Sequence, residues 1–507
     1  MTRRTLSPGS LARPFRSLPA VKFRALPLLV SLAITSAAVG TASPPRNIIF
    51  ILSDDHRWDW LGFMPEAPDF LETPNLDRLA REGAHLRNAF VSTSLCSPSR
   101  ASILTGQYMH HHGVVDNQRP EPDGIRFFPE YLRTANFTTA FIGKWHMGHD
   151  SDERRKGFDH WAAFRGQGDY FDPTLNIDGE RKQFKGYSTD ILTDIALDWL
   201  RRRQGKPSFL YLSFKAPHFP FEPAPRHRGR YDAAPVRRPP TMANTEENYD
   251  GQPRWVRERR YGIHGVDHME TGPFDNDPVP SFDALFRRYS ECVHSIDENI
   301  GRILKYIDDS GLASSTLLLY MGDNGFALGE HGFYDKRDAY ETSIRVPLLA
   351  WAPDRIGPGR TITGMVQNID IAPTILAAAG ITAPTDAPRM DGRSFWPLLQ
   401  NHEVPWRDHI LYEYYWEWNF PATPTIFAIR TDRWKYIYHH GVWDHDAIYD
   451  LQTDPLERHN LATVPSHQGQ FLDLRKRLFD ELEISGGLTL PIFRPAGDPL
   501  HDRKLPR

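Results

Sequence analysis

Four short apolar runs, each ending in charged or hydrogen-bonding residues, constrain this chain more than any other feature. Asn47-Ile48-Ile49-Phe50-Ile51-Leu52 runs into Asp54 and Asp55, and Thr139-Ala140-Phe141-Ile142-Gly143 runs into Lys144, Trp145 and His146. Phe209-Leu210-Tyr211-Leu212-Ser213-Phe214 leads to Lys215-Ala216-Pro217-His218, and Thr316-Leu317-Leu318-Leu319-Tyr320-Met321 leads to Asp323 and Asn324. Runs that are apolar at nearly every position read as strands covered on both faces, the pattern of a buried parallel sheet. In open α/β sheets, ligands bind beyond the carboxyl ends of the strands. Four strand ends carrying carboxylates, lysines and histidines are therefore expected to share one edge.

Helices alternate with these strands. Thr73-Pro74 starts one that Gly83 should stop, since proline suits the first turn and glycine the end. From Leu285 to Ile307, apolar residues including Tyr289, Val293, Ile296, Ile300, Ile303 and Leu304 follow helical spacing, with Cys292 on the same face. A further helix is expected from Asp370 to Gly380. The stretch from Phe219 to about Ser281 is rich in Pro, Arg, His and Asp and shows little periodicity, as functional or mobile segments do. Past residue 400 the pattern changes to closely spaced short strands near 410–415, 426–429, 434–438 and 447–450. A terminal helix follows from about Gln468 to Glu483. The expected fold is therefore an α/β main domain over 43–399 and an α+β subdomain with an antiparallel sheet over 400–507.

The first 42 residues carry Arg3, Arg4, Arg13, Arg16, Lys22 and Arg24 and no acids, followed by an apolar stretch from Ala25 to about Ala38. They read as a signal peptide directing export to the periplasm or outside the cell. The apolar stretch falls short of the roughly 20 residues a membrane span needs, as does every later one. The formal charge is −4, or −10 without that segment, so the chain has no bulk attraction for nucleic acid or anionic membrane. Cys96 and Cys292 are the two cysteines, and no disulfide framework is implied.

Cys96 begins Cys96-Ser97-Pro98-Ser99-Arg100, followed by good helix formers. A cysteine just before a helix N-terminus meets backbone N–H groups that favour negative charge, so an acidic, reactive thiol is expected. The string C-x-P-S-R followed by A-S-x-L-T-G resembles the signature of type I sulfatases. So do the late Tyr449-Asp450-Leu451 with Asp454-Pro455, and Asn460-Leu461. The resemblance covers nearly all of the chain after the signal segment and implies an alkaline-phosphatase-like main domain followed by a small four-stranded one. It implies that a maturation enzyme oxidises Cys96 to formylglycine, whose hydrated aldehyde is the nucleophile.

Asp54, Asp55, Asp323 and Asn324 offer only hard oxygen ligands, which suits Ca2+ or Mg2+ and not zinc. The resemblance makes these four, with position 96, the metal ligands, and Ca2+ the usual ion. By the same resemblance Arg100 returns from one helical turn away to the modified residue, and Lys144 and Lys336 hold sulfate oxygens. His146 steers the aldehyde diol, and His218, with Lys336, protonates the leaving oxygen. Cations placed where charge develops are what transition-state stabilisation needs.

Substrate contacts are thinner. His331, Arg337, Arg345 and His440 are candidates, and Trp416-Glu417-Trp418 and Val442-Trp443-Asp444 offer rings suited to stacking a carbohydrate. The His110-His111-His112 tract reads as a solvated loop that follows the motif closely enough to line a cleft. His-His-His-Gly-Val-Val-Asp-Asn from His110, Asp335-Lys336-Arg337-Asp338-Ala339-Tyr340-Glu341, and Arg430-Thr431-Asp432-Arg433-Trp434-Lys435-Tyr436-Ile437 with the later His440-Gly441-Val442-Trp443-Asp444 resemble the branch acting on sulfated glycans, especially N-acetylglucosamine-6-sulfatases. The implied partner is a sulfated carbohydrate. The competing readings are a phosphonate or phosphodiester hydrolase of the same superfamily, and a noncatalytic protein that binds sulfated glycans.

Overall fold

The computed structural model describes residues 45–148, 151–203, 205–271 and 281–491. The signal-peptide reading therefore lies outside the described residues. Ten strands among them form one sheet: β1 Asn47–Ser53, β2 Ala84–Leu86, β3 Thr138–Gly143, β4 His160–Ala163, β5 Thr174–Ile177, β6 Glu180–Gln183, β7 Ser208–Ser213, β8 Thr316–Gly322, β9 Leu348–Trp351 and β10 Arg360–Ile362. Their spatial order is β10-β2-β9-β8-β1-β7-β3-β4-β5-β6. The five at the centre, β8 to β4, run parallel. Antiparallel pairs flank them on both sides.

The apolar runs behave as their composition demands. Side chains alternate across a strand, so Ile48, Phe50 and Leu52 enter one core and Ile49 and Ile51 the other. Register then aligns the strand ends: Leu52 pairs with Ser213 and Ser53 with Gly322, while Gly143 pairs with Ser213. The polar residues that follow each strand emerge at one level. Gly143 makes this possible, because a Cβ there would lie 1.8 Å from the Ser213 carbonyl oxygen, at φ +120°.

Helices α1 Pro74–Glu82, α2 Cys96–Thr105, α3 Ser188–Arg202, α4 Phe282–Asp309 and α5 Ile371–Ala378 flank the sheet region. The α1 boundaries match the Thr73-Pro74 and Gly83 signals. Thr73 does not cap through its side chain; Asp297 of α4 accepts from the Asn75 and Leu76 N–H groups instead, so a neighbouring helix satisfies these orphan donors. The 219–281 stretch, which lacks periodicity, contains short helices at Glu246–Tyr249, Arg254–Arg259 and Val266–Thr271.

Strands β11 His409–Tyr414, β12 Thr425–Thr431, β13 Trp434–His440 and β14 Ala447–Asp450 form the antiparallel sheet, in chain order. One face (Ile410, Tyr412, Tyr414, Ile426, Ala428) joins the main core. The other packs Leu411, Phe427 and Ile429 against Leu474, Leu478 and Leu482 of α6 Gln468–Ser485. Those leucines recur every four residues, the spacing of one helix face. Among the described residues no helix is long and apolar enough to cross a membrane.

The His110-His111-His112 tract is not a solvated loop. It ends a helical turn, Met109–His112, laid between α2 and the second sheet. His112 is buried, its Nε2 3.0 Å from Ser102 Oγ, and burial pushes it down to about 3. The His110 ring pairs with Glu413 at 2.9 Å and meets the Ser485 carbonyl at 3.0 Å, both side chains being fully covered. Burial lowers the His110 pKa, but the Glu413 hydrogen bond and charge outweigh it and raise the net value. A raised folded value means the pair's stabilisation is complete below the unfolded imidazole pKa and fades as pH rises through the folded one. His110→Ala should therefore destabilise by about 2 kcal/mol at pH 6 and by less at pH 9. Denaturant melts of both proteins at the two pH values check this, and an equal loss at both would refute the pairing.

Candidate active site

The site is assembled from strand ends and the start of α2. Asp54 and Asp55 follow β1, Lys144 and His146 follow β3, Lys215 and His218 follow β7, and Asp323 and Asn324 follow β8. Cys96 opens α2, with every residue of that helix buried. Leu95 is the N-cap, so Cys96 is the first helical residue and not the one before it.

Carboxylate oxygens of Asp54, Asp55 and Asp323 lie within 4.8 Å of one another. Asp323 Oδ1 accepts from the Asp55 and Asn324 N–H groups at 2.9 and 2.8 Å. Asn324 Nδ2 donates to Asp55 Oδ1 at 2.6 Å. From one helical turn along α2, Arg100 sends Nε and Nη2 to Asp323 Oδ2 at 3.0 and 2.8 Å, and Nη2 reaches Asp54 Oδ1 at 3.7 Å. Its Nη1 donates to the Lys144 carbonyl and to Ser213 Oγ, both at 2.7 Å, which ties three strand ends together. Lys144 Nζ donates to Asp54 and Lys336 Nζ to Asp55. The Cys96 sulfur lies 3.6 Å from Asp54 Oδ1. His218 points Nε2 at Asp55 Oδ2, 3.7 Å away, while its Nδ1 meets the Phe219 carbonyl at 2.6 Å. His146 is buried at the edge of this hollow with φ 62°.

Electrostatics divides the carboxylates. Burial pushes Asp54 up, but the surrounding cations, Lys144 foremost, outweigh it and hold Asp54 well below the usual range. Burial dominates at Asp55 and raises it despite Lys336. Asp323 is pushed up to about 7 by burial and then by the charge on Asp54. Asp55 Oδ2 and Asn324 Oδ1 are buried with no hydrogen-bond partner. Crowded carboxylates thus keep acceptor oxygens without donors even with Arg100, Lys144 and Lys336 beside them. The site's donors are all oxygen, which fits a hard divalent cation.

One expectation fails here. Cys96 is not acidic: burial pushes its thiol up to about 12, against the pull of Lys144 and Lys336 and helped by Asp54 and Asp323. A helix N-terminus lowers a thiol only where water or a counter-charge can stabilise the thiolate. Here the dry, acid-rich pocket wins.

The substrate candidates scatter. Arg337 sits next to Lys336 but is buried in pairs with Asp335 (2.8 Å) and Glu417 (2.7 Å). His331 stacks on Tyr340, and together with Arg345 it lines a different cavity of about 730 Å³ whose walls include neither Cys96 nor His218. Arg345 lies 3.9 Å over the Trp58 ring. His440 is exposed at the end of β13. Three neighbours of the site went unforeseen. Gln167 accepts from Lys144 Nζ at 2.6 Å, Tyr289 donates to the Asp55 carbonyl at 2.6 Å, and Asn117 accepts from the Ser97 N–H at 2.9 Å.

Residues 46–381 match the family described as Sulfatase. The chain belongs to the sulfatase family. Residues 329–483 of this sulfatase match a second family, N-sulphoglucosamine sulphohydrolase, C-terminal. The sulfatase is 33% identical to N-acetylglucosamine-6-O-sulfatase of Bacteroides thetaiotaomicron, over 86% of each chain. It is 30% identical to human N-acetylglucosamine-6-sulfatase, over 83% of this chain and 76% of that one. Among solved structures it resembles one determined in complex with its substrate D-glucosamine-2-N,6-O-disulfate, with TM-score 0.80 and 30% identity over 91% of this chain and 100% of that one. The sulfatase is thus a sulfuric ester hydrolase with the large mixed sheet and small antiparallel sheet of its family.

Proposed function

We propose that this sulfatase removes the 6-O-sulfate from N-acetylglucosamine residues of glycans. The observation that carries the reading is its likeness, along nearly the whole chain, to the Bacteroides N-acetylglucosamine-6-O-sulfatase. Cys96 is read as the precursor of formylglycine, made by a maturation enzyme. Its hydrated aldehyde supplies an oxygen nucleophile, and the second hydroxyl of that diol allows sulfate to leave without water attacking a crowded anion. Asp54, Asp55, Asp323 and Asn324, with the modified residue 96, would hold Ca2+, or Mg2+ in its place, which would supply Lewis-acid polarisation of the sulfate.

The chain's own side chains do the rest. Arg100 fixes Asp323 and Asp54, so the ligand oxygens do not rearrange when charge develops. Lys144 and Lys336 bring ammonium groups to the sulfate oxygens, which is worth most in a site that excludes water. His146 steers the residue-96 hydroxyls. His218 keeps Nδ1 on the Phe219 carbonyl, which leaves Nε2 to pass a proton to the departing sugar oxygen. Burial, then Lys144, depress this imidazole; an anionic ester beside it works in the opposite direction. Export through the basic and apolar N-terminal segment fits a role in scavenging sulfated polysaccharide.

The test is turnover of one alcohol bearing two leaving anions. Enzyme produced with a formylglycine-generating partner should release sulfate from N-acetylglucosamine 6-sulfate and hydrolyse the 6-phosphate at least about a hundredfold more slowly. Faster phosphate release would favour the phosphonate or phosphodiester reading. Binding without release would favour a noncatalytic one.

A further inference from the structure

Large aromatic side chains left in water are uncommon, and a contiguous group of them marks a binding surface. Trp443 is fully exposed, and Tyr261, Ile263 and Trp416 are 59%, 49% and 49% exposed. They come from two stretches far apart in sequence, and the fold brings the stretches together. The Arg254 N–H donates to Asp444, next to Trp443. A Cβ on Gly262, between Tyr261 and Ile263, would lie 3.8 Å from the Ala422 methyl. Trp416 belongs to the same edge, because its N–H donates to Thr425 at 2.9 Å and Thr425 pairs with His440 in the sheet. The Trp416 indole is held by a bond of 3.4 Å to the Pro421 carbonyl, so the ring is presented and not merely trailing.

Buried side chains link this rim to the residues of the catalytic hollow. Phe420 covers the Arg337 guanidinium at 3.7 Å, and Arg337 adjoins Lys336. His264 touches both the Phe420 ring (centroids 4.9 Å apart) and Asp335, at 3.0 Å. Chain neighbours and buried contacts thus lead from Lys336 to Phe420 and His264, which lie in the segments that carry Trp416 and Ile263. Glu417 lies on the same path, and its Oε1 is buried with no hydrogen-bond partner. Exposed aromatic faces suit a molecule that has an apolar face and a hydroxyl-rich edge. A pyranose ring offers both.

We propose that Trp416 and Trp443 form a stacking platform for the sugar residues attached to the sulfated one, so that the enzyme prefers an oligosaccharide over a monosaccharide. The inference rests on the glycan-sulfatase reading above and adds the length of substrate recognised. Neither tryptophan touches the reacting atoms.

The probes are N-acetylglucosamine 6-sulfate and a tetrasaccharide carrying one 6-sulfated N-acetylglucosamine. Wild type should show the higher kcat/KM on the tetrasaccharide. The W416A and W443A variants should lose about three- to tenfold of that value, through KM, with monosaccharide turnover unchanged and W443F restoring most of the loss. An equal kcat/KM on both probes in wild type, or variants that lose both substrates alike, would overturn the platform. If wild type desulfates neither probe, the glycan-sulfatase reading has failed instead. The platform is then judged by binding: tetrasaccharide quenching of wild-type but not W443A tryptophan fluorescence supports it, and no quenching sinks it.

Discussion

A Cys96→Ala variant is expected to fold normally and to release sulfate at least a thousandfold more slowly than the parent, because nothing else in the hollow supplies the oxygen nucleophile. The fold should survive because the change removes a single sulfur atom, whose hydrogen-bond partner is Asp54 Oδ1 at 3.6 Å. Mass spectrometry of the peptide spanning Leu95 to Arg100 in active wild-type enzyme should show the aldehyde. Full activity from protein whose position 96 is an unmodified thiol would sink the nucleophile assignment. The high thiol pKa sharpens the argument. A sulfur held up near 12 by burial is a poor nucleophile, which agrees with the proposal that Cys96 is the precursor of the reactive group.

Asp323→Asn should be nearly as damaging, and to stability as well. The wild-type carboxylate accepts a bond from Arg100 Nε, pairs with Nη2 at 2.8 Å, and accepts from the Asp55 and Asn324 N–H groups. Neutralising it leaves a fully buried guanidinium short of a counter-charge, a loss of about 3 kcal/mol, and removes one oxygen from the cation cage. We expect turnover to fall by about a hundredfold or more. Chelation provides the control. Wild type treated with a calcium chelator should lose activity and melt at a lower temperature, with both restored by Ca2+, whereas the variant's melting temperature should not respond to either. Chelator-resistant turnover in wild type, alongside near-normal turnover in Asp323→Asn, would remove the cation from the mechanism.

What the sequence made legible was the part that local chemistry dictates. Continuous apolar runs become central parallel strands, and each run's length sets where its polar residues emerge, so Asp54, Lys144, His218 and Asp323 could be brought together in advance. Arg100 was readable because one helical turn separates it from Cys96. The failures are all tertiary. Gln167 reaches Lys144 from a loop with no periodicity, and Tyr289 looks like one more apolar position of α4 until its hydroxyl is found on the Asp55 carbonyl. The histidine tract is hydrophilic by composition, but Glu413 and the end of α6 cover His110 and α2 covers His112, while His111 stays exposed. His331 and Arg345 sit close in sequence to Lys336, yet the chain turns them toward Tyr340 and Trp58. Proximity along the chain near an active site says little about which cavity a side chain enters.

The enclosure of α2 also sets an order of events. Once the sheet and its helices have closed, no second protein has a route to the sulfur of residue 96, since its entire helix is shielded. The oxidation proposed for residue 96 would therefore have to happen on the emerging polypeptide. On that proposal, a host that folds this chain faster than it can process it would accumulate well-shaped, inert protein.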